Sequence, residues 1–570
     1  MKLVLVVVTL GVVLQGVVCG VAQCDSNATD REDCGYSGID EDECEGKGCC
    51  WEPVSPNPNN EPWCFYPPNF APPPPPPPSP PSENCNNDGY RVDCGYSGIT
   101  ESECEAKGCC WNELDDNPNN LPWCFAPNMN LPPAPQTPVP PPGTPPFSAE
   151  EVETMMGYFM ANLNVDDSGA VVAAPDTTTP GGSYYYHWMR DGALSMRALM
   201  ITNNDTSIVD YHMTKYTEWV LGVQGEVDPN NIDVRIEPKF EIPSGDPYTG
   251  GWCRPQTDGP GLRAGTLSLY ALYLINHGGV GFVKDYLYTN NPSDARRGGA
   301  IYYDLEWVNA NWTSAGCDLW EEVTSADLFW NRYNFRYGLE VGAQVADVMG
   351  DNATASRWRA TAQEIQSTLP AHYNGDYVYE STNRLMDSAV IIAFNDGYLN
   401  DGFFAPNSEE VSGTIATLND VFYSTFPINA IDDQIGLPGI LYGRYPGDVY
   451  AGGNPWILNT AALAHLYYNG AVETLRTRRL PGPKALENFR RAGVTLPRNP
   501  TYRDFARAVV QEGDNIMYRI RHHVEPYDFH LSEQIDKNTG DEIAASDLTW
   551  SYAEVLLAMY YRENAQSGLI

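Results

Sequence analysis

The sequence predicts a mainly all-α fold preceded by two small disulfide-rich domains. Three observations carry this expectation. Beyond residue 147, apolar residues recur at three- and four-residue spacing over long stretches, with few period-two runs to compete. Twelve of the 15 cysteines fall between Cys24 and Cys124, in two sets of six. Two proline-rich stretches set these regions apart.

The first residues read as a signal peptide over 1–22. Lys2 gives a short basic start, and Leu3 to Val18 is apolar apart from Gln15. Gly20-Val21-Ala22 places small residues before a cleavage point at Gln23. The apolar run is short of the ~20 residues a membrane span needs, so no stable membrane insertion is expected. The expected location is extracellular, or the lumen of an acidic digestive compartment. With 34 Lys and Arg against 74 Asp and Glu, the net charge is -40. Such a surface repels phosphate backbones and anionic lipid, which argues against a nucleic-acid partner. N-glycosylation sequons occur at Asn27, Asn204, Asn311 and Asn352.

The cysteine-rich region is an internal repeat. Arg31 to Trp51 recurs as Arg91 to Trp111, and each copy ends in Pro-Trp-Cys-Phe at Cys64 and Cys124. The copies span 23–66 and 84–126. Units this small cannot rest on a hydrophobic core, so cross-links must supply the stability. Six cysteines allow 15 pairings, and sequence alone does not choose among them. The linkers, 67–83 and 127–146, are proline-rich and should be extended polyproline spacers.

Both copies resemble trefoil (P-type) domains: an Arg, then spaced cysteines ending in Cys-Cys-Trp. Tyr36-Ser37 and Tyr96-Ser97 stand where that family commonly has an aromatic-Pro pair. The resemblance implies Cys24–Cys50, Cys34–Cys49 and Cys44–Cys64, and likewise Cys85–Cys110, Cys94–Cys109 and Cys104–Cys124.

The region 147–570 carries helical patterns at Asp327–Met349, Ala355–Thr368, Thr460–Tyr468, Asp504–His522 and Asp547–Arg562. In the last, Leu548, Tyr552, Val555, Leu556, Met559 and Tyr560 form one apolar face. Long Gly-, Pro-, Asn- and aromatic-rich segments intervene. Paired helices joined by long functional loops suggest an all-α barrel.

Chemistry concentrates in those intervening segments. They are Tyr184 to Gly192, Gly251 to Ala264, Cys317 to Val323, Gly443 to Trp456 and Ser532 to Tyr552. Each mixes Tyr or Trp with Arg, Asp or Glu. Aromatic faces stack on pyranose rings, charged groups hydrogen-bond hydroxyls, and two carboxyl groups can flank a glycosidic bond. For any one segment, ordinary core or surface is the stronger reading; five in one chain point to sugar chemistry. No metal-ligand spacing and no nucleotide-binding Gly loop occurs, so no cofactor is expected.

Arg-Pro-Gln-Thr-Asp-Gly-Pro-Gly-Leu-Arg-Ala (254–264), Asp-Leu-Trp-Glu-Glu-Val (318–323), Ser-Glu-Gln-Ile-Asp-Lys (532–537) and Asp-Leu-Thr-Trp-Ser-Tyr (547–552) resemble glycoside hydrolase family 15, the glucoamylases. The resemblance covers nearly all of 147–570. It implies an (α/α)6 barrel and inverting, exo-acting hydrolysis of α-1,4 and, more slowly, α-1,6 glucosidic bonds of starch-like chains, releasing β-D-glucose. It implies Glu321 as general acid and Glu533 as general base, with Glu322 on the sugar beside the cleaved bond. Arg190, Asp191 and Arg444 would clamp the terminal glucose, with Tyr184, Trp188, Leu319, Trp320 and Trp550 lining the pocket. Trp252 and Arg254 would face the leaving sugars, and Asp448 and Trp456 would support from outside. For the division of labour, Trp320, Asp318 and Glu322 should raise the proton affinity of Glu321, while Glu533 should be more solvated or hydrogen-bonded.

His187, Met189 and Ile535 depart from residues frequent in the fungal enzymes, as does Cys253 where Gly is usual. Cys253 and Cys317 are the only cysteines of 147–570. They allow either a disulfide bracing two loops or a pair of free thiols. No C-terminal starch-binding domain is expected. The expected partner is an α-glucan, with the trefoil repeats binding glycans or resisting proteolysis, in a monomer. Competing readings are a family member acting on another α-glucoside, and a trefoil lectin with a degenerate catalytic domain.

Overall fold

The computed structural model describes residues 41, 44, 49–53, 63–65, 100, 101, 104, 109–112, 123–125, 141, 143–290 and 292–569. The signal peptide, the sequon at Asn27, linker 67–83 and nearly all of 127–142 lie outside them. The chain divides into a unit ending at Asn130 and a unit from Leu131 onward.

In the N-terminal unit the two repeats fold alike. Cys50–Trp51 pairs antiparallel with Cys64–Phe65, and Cys110–Trp111 with Cys124–Phe125. Cys44–Cys64 and Cys104–Cys124 are disulfides with Cα separations of 5.8 and 5.7 Å. Trp51 packs on the first buried cluster and Trp111 on the second. Cys49, Cys50, Cys109 and Cys110 are also disulfide-bonded. The cysteines expected as their partners (Cys34, Cys24, Cys94 and Cys85) lie outside the described residues.

Besides the short helices Val280–Phe282, Pro427–Gln434 and Pro483–Arg491, twelve helices among the described residues build the two layers of the second unit: α1 Ala149–Ala161, α2 Met189–Thr202, α3 Thr206–Gly225, α4 Gly259–Asn276, α5 Gly299–Asn311, α6 Phe329–Val348, α7 Asn352–Thr368, α8 Ala389–Asp396, α9 Glu409–Thr425, α10 Ile457–Thr477, α11 Tyr502–Val524 and α12 Thr549–Leu569. Helices α2, α4, α6, α8, α10 and α12 touch in sequence, and α12 returns to α2, closing a ring. The odd-numbered helices each pack outside one or two of these. This is an (α/α)6 barrel.

Burial follows the layering. All eight residues of α8 are buried, as is most of α10, whereas α7 buries one stripe. Gly261 of α4 and Gly338 of α6 let those helices meet, since a Cβ at Gly338 would sit 2.6 Å from the Gly261 carbonyl oxygen. Buried ion pairs tie outer to inner helices: Arg263 to Asp304 and Arg562 to Asp514, each at 2.6 Å. Capping boxes start α1 (Ser148, Glu151) and α11 (Thr501, Asp504).

The five periodic segments are helices α6, α7, α10, α11 and α12. The reading of α10 was too short, because its flanks are as buried as its centre and show no polar stripe. Pro146 and Phe147 are already buried, and Arg562 donates to the Gly143 carbonyl at 3.2 Å, so the packed unit begins within the end of linker 127–146. Asn204 and Asn352 are exposed and Asn311 is half-buried.

Candidate active site

Because outer and inner helices alternate along the chain, the inner helices run in one direction and their N-termini converge. A cavity of about 300 Å³ opens there. Its lining includes Tyr184, Trp188, Arg190, Asp191, Trp252, Leu319, Trp320, Glu321, Glu322, Arg444, Trp456, Glu533 and Trp550. Thirteen of the fifteen expected site residues therefore share one wall. The other two stand behind it. Arg254 is paired with Glu237 at 2.6 Å and donates to the Gly250 and Tyr248 carbonyls. Asp448 grips Arg444 through both carboxylate oxygens, at 2.8 and 2.6 Å.

Not all these residues are in loops, as the sequence reading had them. Arg190 and Asp191 lie in the first turn of α2, Trp550 lies in that of α12, and Trp456 is the N-cap of α10. Helix N-termini favour nearby negative charge, so this end of the barrel suits carboxylates.

Glu321 sits at the tip of a tight loop before α6 with φ of 66°, left-handed and costly for a side chain of its kind. Asp318 holds that loop. One carboxylate oxygen accepts the backbone N–H of Glu322 at 2.7 Å and of Val323 at 2.9 Å, and the Asp318 carbonyl accepts from Glu321. The Glu321 carboxylate receives three donors on Oε1: Trp188 Nε1 at 2.8 Å, Gln256 Nε2 at 2.8 Å and Arg190 Nη2 at 3.3 Å. Its Oε2 makes no hydrogen bond to the described residues. Trp320 instead donates to buried Asp387 at 2.8 Å.

Glu533 is 1% exposed. Tyr184 donates to its Oε1 at 2.8 Å and Gln534 to its Oε2 at 3.1 Å, while Tyr450 backs Tyr184 at 2.8 Å. Burial pushes the Glu533 carboxyl up to about 7, against the opposing pull of Tyr184 and Arg444. Of the two arms of the expectation for Glu533, more solvated or hydrogen-bonded, the structure gives the second: the carboxylate is hydrogen-bonded and buried. The neighbours expected for the Glu321 carboxyl, Trp320, Asp318 and Glu322, are not the groups that contact it: its hydrogen bonds come from Trp188, Gln256 and Arg190. The two carboxylates are held by adjacent rings, Tyr184 and Trp188, whose centroids lie 5.6 Å apart.

Arg190 binds Gln256 and Asp258 through Nη1 and lies 3.7 Å from Asp191. Burial raises the Asp191 carboxyl to about 6 despite Arg190. Arg444 reaches Glu322 at 2.9 Å and lies over the rings of Trp320, Tyr450 and Trp456. Glu322 also accepts from Arg384 and Tyr445. Burial would raise its carboxyl, but Tyr445 and the two arginines outweigh it and hold it below the usual carboxylate range. Sequence reasoning passed over Gln256, Asp258, Arg384, Tyr445, Tyr450 and Gln534. Five of them lie inside the segments already singled out. Arg384 and Gln256's role as a bridge between Arg190 and Glu321 had no local signal. Cys253 and Cys317 form a disulfide with a Cα separation of 6.1 Å, joining the Trp252 loop to the Glu321 loop.

Paired carboxyl groups among indoles, phenols and guanidinium groups, at the end of an (α/α)6 barrel, define the class of helical-barrel glycosidases. Residues 157–560 match the glycosyl hydrolases family 15, and 24–67 and 85–127 match the trefoil (P-type) domain. The chain is 32% identical over 413 residues to a glucoamylase of Blastobotrys adeninivorans and 30% identical over 412 residues to glucoamylase 1 of Rhizopus oryzae. Each alignment covers 67% of this chain and 65% of the relative, so the chain spans about two-thirds of those proteins, slightly under. Among solved structures, the family 15 glucoamylase from Hypocrea jecorina superposes with a TM-score of 0.64 at 28% identity, covering 74% of each chain. The Saccharomycopsis fibuligera glucoamylase gives 0.64 at 25% identity, covering 73% of this chain and 95% of the other. The chain belongs to glycosyl hydrolase family 15.

Among the described residues no helix is long and apolar enough to cross a membrane.

Proposed function

We propose that this protein is a secreted, exo-acting, inverting glucoamylase. It removes terminal α-1,4-linked glucose, and more slowly α-1,6-linked glucose, from starch, glycogen or maltooligosaccharides and releases β-D-glucose. The observation that carries the reading is the pair Glu321 and Glu533 on one cavity wall, each fixed by its own aromatic donor.

Glu321 is the general acid. Three donors saturate its Oε1, so a proton on this carboxyl resides on Oε2, which has no partner in the protein. Oε2 delivers it to the glycosidic oxygen as the bond breaks. Glu533 is the general base. Tyr184 and Gln534 take one lone pair on each oxygen, which leaves acceptor capacity for the attacking water. Inversion requires that water on the opposite face of the sugar, with the carboxyls about 6.5–9.5 Å apart. Arg190, Asp191 and Arg444 hold the hydroxyls of the terminal glucose, Trp188, Trp550 and Tyr184 line it, and Leu319 and Trp320 close the wall. Glu322 and Trp252 face the leaving side, with Arg254, Asp448 and Trp456 in support. A pocket closed by this clamp admits chain ends and not chain interiors.

Starch hydrolysis followed by proton NMR tests the reading. β-Glucose should form first, and Glu321→Gln and Glu533→Gln should each lose activity. First-formed α-glucose would reject inversion, and full activity in either variant would reject that residue's role.

The trefoil repeats fit a second task, glycan binding. Each presents one exposed tryptophan, Trp63 at 44% and Trp123 at 43%, set edge-on against Trp51 and Trp111. Exposed rings held this way suit stacking on sugars. Full-length Trp63→Ala/Trp123→Ala protein should be retained less by insoluble starch or mucin than the unaltered chain; equal retention refutes the role.

A further inference from the structure

Behind the cavity wall lies an ammonium group that the proposed reaction does not use. Lys239 is 2% exposed. It sits in the two-residue strand Lys239–Phe240, directly across from Trp188 in the strand His187–Trp188. No carboxylate or carbonyl among the described residues accepts a hydrogen bond from its Nζ. Four aromatic rings surround the ammonium instead: Trp252 at 3.8 Å, Tyr186 at 4.1 Å, Tyr248 at 4.3 Å and Trp188 at 4.4 Å from the ring centroids.

Those rings form a closed circuit. Tyr186 meets Tyr248 at 5.2 Å, Tyr248 meets Trp252 at 6.1 Å, Trp252 meets Trp188 at 5.7 Å and Trp188 meets Tyr186 at 6.1 Å, every pair edge-to-face. An aromatic box of this make-up is a cation receptor, and here the chain supplies its own cation. Two of the four rings, Trp188 and Trp252, also line the cavity. Trp188 carries the indole N–H that holds Glu321.

We propose that Lys239 is a positioning residue of the active site: its caged ammonium locks Trp188 and Trp252, and through Trp188 it sets the aim of Glu321. This rests on the glucoamylase reading for its effect on activity, but the cage itself does not. The charged groups that bear on Lys239 are Glu321 beyond Trp188, Glu241 and Glu237 on its own segment, and Arg254, which is paired with Glu237. Burial draws the ammonium down to about 8, with Glu321 and Glu241 opposing that fall. At acidic to neutral pH the cage is therefore closed on a cation, and it loosens in mild alkali.

The test uses the full chain with Lys239→Met, which keeps the stem and removes the charge, and Lys239→Arg, which keeps a cation that stacks on rings. In the unaltered protein labelled at lysine Cε, one ε-methylene resonance should lie upfield of the other lysines, through the ring currents of four rings. It should be missing in both variants and should titrate with a midpoint near 8. The absence of such a resonance overturns the cage whatever the enzyme does. With maltooligosaccharides, Lys239→Met should lower kcat by tenfold to about a hundredfold with a smaller change in KM, the range expected when a catalytic group is misaimed by about 1 Å. Lys239→Arg should recover most of that loss. In a Trp188→Phe background, which lacks the indole N–H, Lys239→Met should add little, because both act through one contact. If Lys239→Met keeps kcat within about twofold while Glu321→Gln is inactive, the positioning role is wrong and the glucoamylase reading stands. If the unaltered protein releases no glucose from any α-glucan, that reading falls and the resonance still decides the cage. Should Lys239→Met not fold, Lys239→Arg and the unaltered protein carry the test.

Discussion

Glu533→Gln should stabilise the protein above neutral pH while abolishing its activity. The Glu533 carboxyl is enclosed and its proton affinity is raised from 4.5 to about 7, chiefly by burial. A carboxyl raised in the folded state favours folding when protonated, and that advantage is lost as pH rises through the folded value. Between pH 4.5 and 7 the native state binds more protons than the unfolded chain, so stability falls as pH rises. A shift of about 2.5 units corresponds to ~3 kcal/mol at pH 7.5 and to almost nothing at pH 4. Glutamine carries no charge and escapes this cost. Its Oε1 can still accept from Tyr184, but its amide meets the Gln534 Nε2 donor, and losing that bond costs about 1 kcal/mol at every pH. The net expectation is a variant near or slightly below the unaltered protein at pH 4 and about 2 kcal/mol above it at pH 7.5. Urea unfolding of the catalytic unit, followed by tryptophan fluorescence at both pH values, measures this. A stability difference that does not change between pH 4 and 7.5 would refute the enclosed-carboxyl account.

Asp318→Ala should leave the Glu322 and Val323 N–H groups without their acceptor, at about 1–3 kcal/mol each, and release the left-handed turn at Glu321. Activity should fall at least tenfold in folded protein, judged by kcat against circular dichroism. Cys253→Ser/Cys317→Ser opens a loop of 64 residues, and the chain-entropy account puts the loss near ~4 kcal/mol. Since the bridge joins the Trp252 and Glu321 loops, thermal stability and KM for maltooligosaccharides should both worsen, and a variant with an unchanged melting temperature would contradict this. Arg444→Lys cannot keep the two-point grip on Asp448 together with the Glu322 contact. Breaking a buried pair costs about 3–5 kcal/mol, so both KM and stability should suffer, and a Lys variant with native KM would remove Arg444 from the sugar clamp.

Periodicity made helices of both layers legible, α6, α10 and α12 of the inner ring and α7 and α11 of the outer one. Helices α7 and α11 alternate apolar and polar faces, and the periodicity finds them. Helix α8, Ala389–Asp396, is buried on every side, and α2 begins with Met-Arg-Asp-Gly; neither offers a polar stripe against an apolar one. Ring closure is a long-range fact, visible only when α12 meets α2. For the site, motif likeness located thirteen lining residues but not the contacts of their carboxyl groups. Adjacency suggested Trp320, Asp318 and Glu322 as neighbours of the Glu321 carboxyl. The turn at Glu321 instead swings that side chain toward Trp188 and Gln256, which are far off in sequence. Likewise nothing in Ser532-Glu533-Gln534 foretells a carboxyl with 1% exposure.

These corrections share one physical theme. Some buried charge in the barrel is matched, as in Arg263 with Asp304 and Arg562 with Asp514, whereas burial pushes Asp396 and Glu542 up to about 7. Around the cavity the same mixture recurs, with Arg190 and Arg444 ion-paired. Arg190 Nε, Trp252 Nε1 and Trp456 Nε1 are buried without a hydrogen-bond partner, Glu321 holds a left-handed backbone, and Glu533 lies enclosed with its proton affinity raised. Each unpaired N–H costs about 1–3 kcal/mol, which the folded protein must offset elsewhere. These three N–H groups have almost no exposed surface, so a sugar in the cavity does not reach them. Groups already satisfied within the protein would gain nothing from a sugar. The Glu321 Oε2 and the remaining lone pairs of Glu533 are therefore the carboxylate acceptors left to a ligand in the cavity.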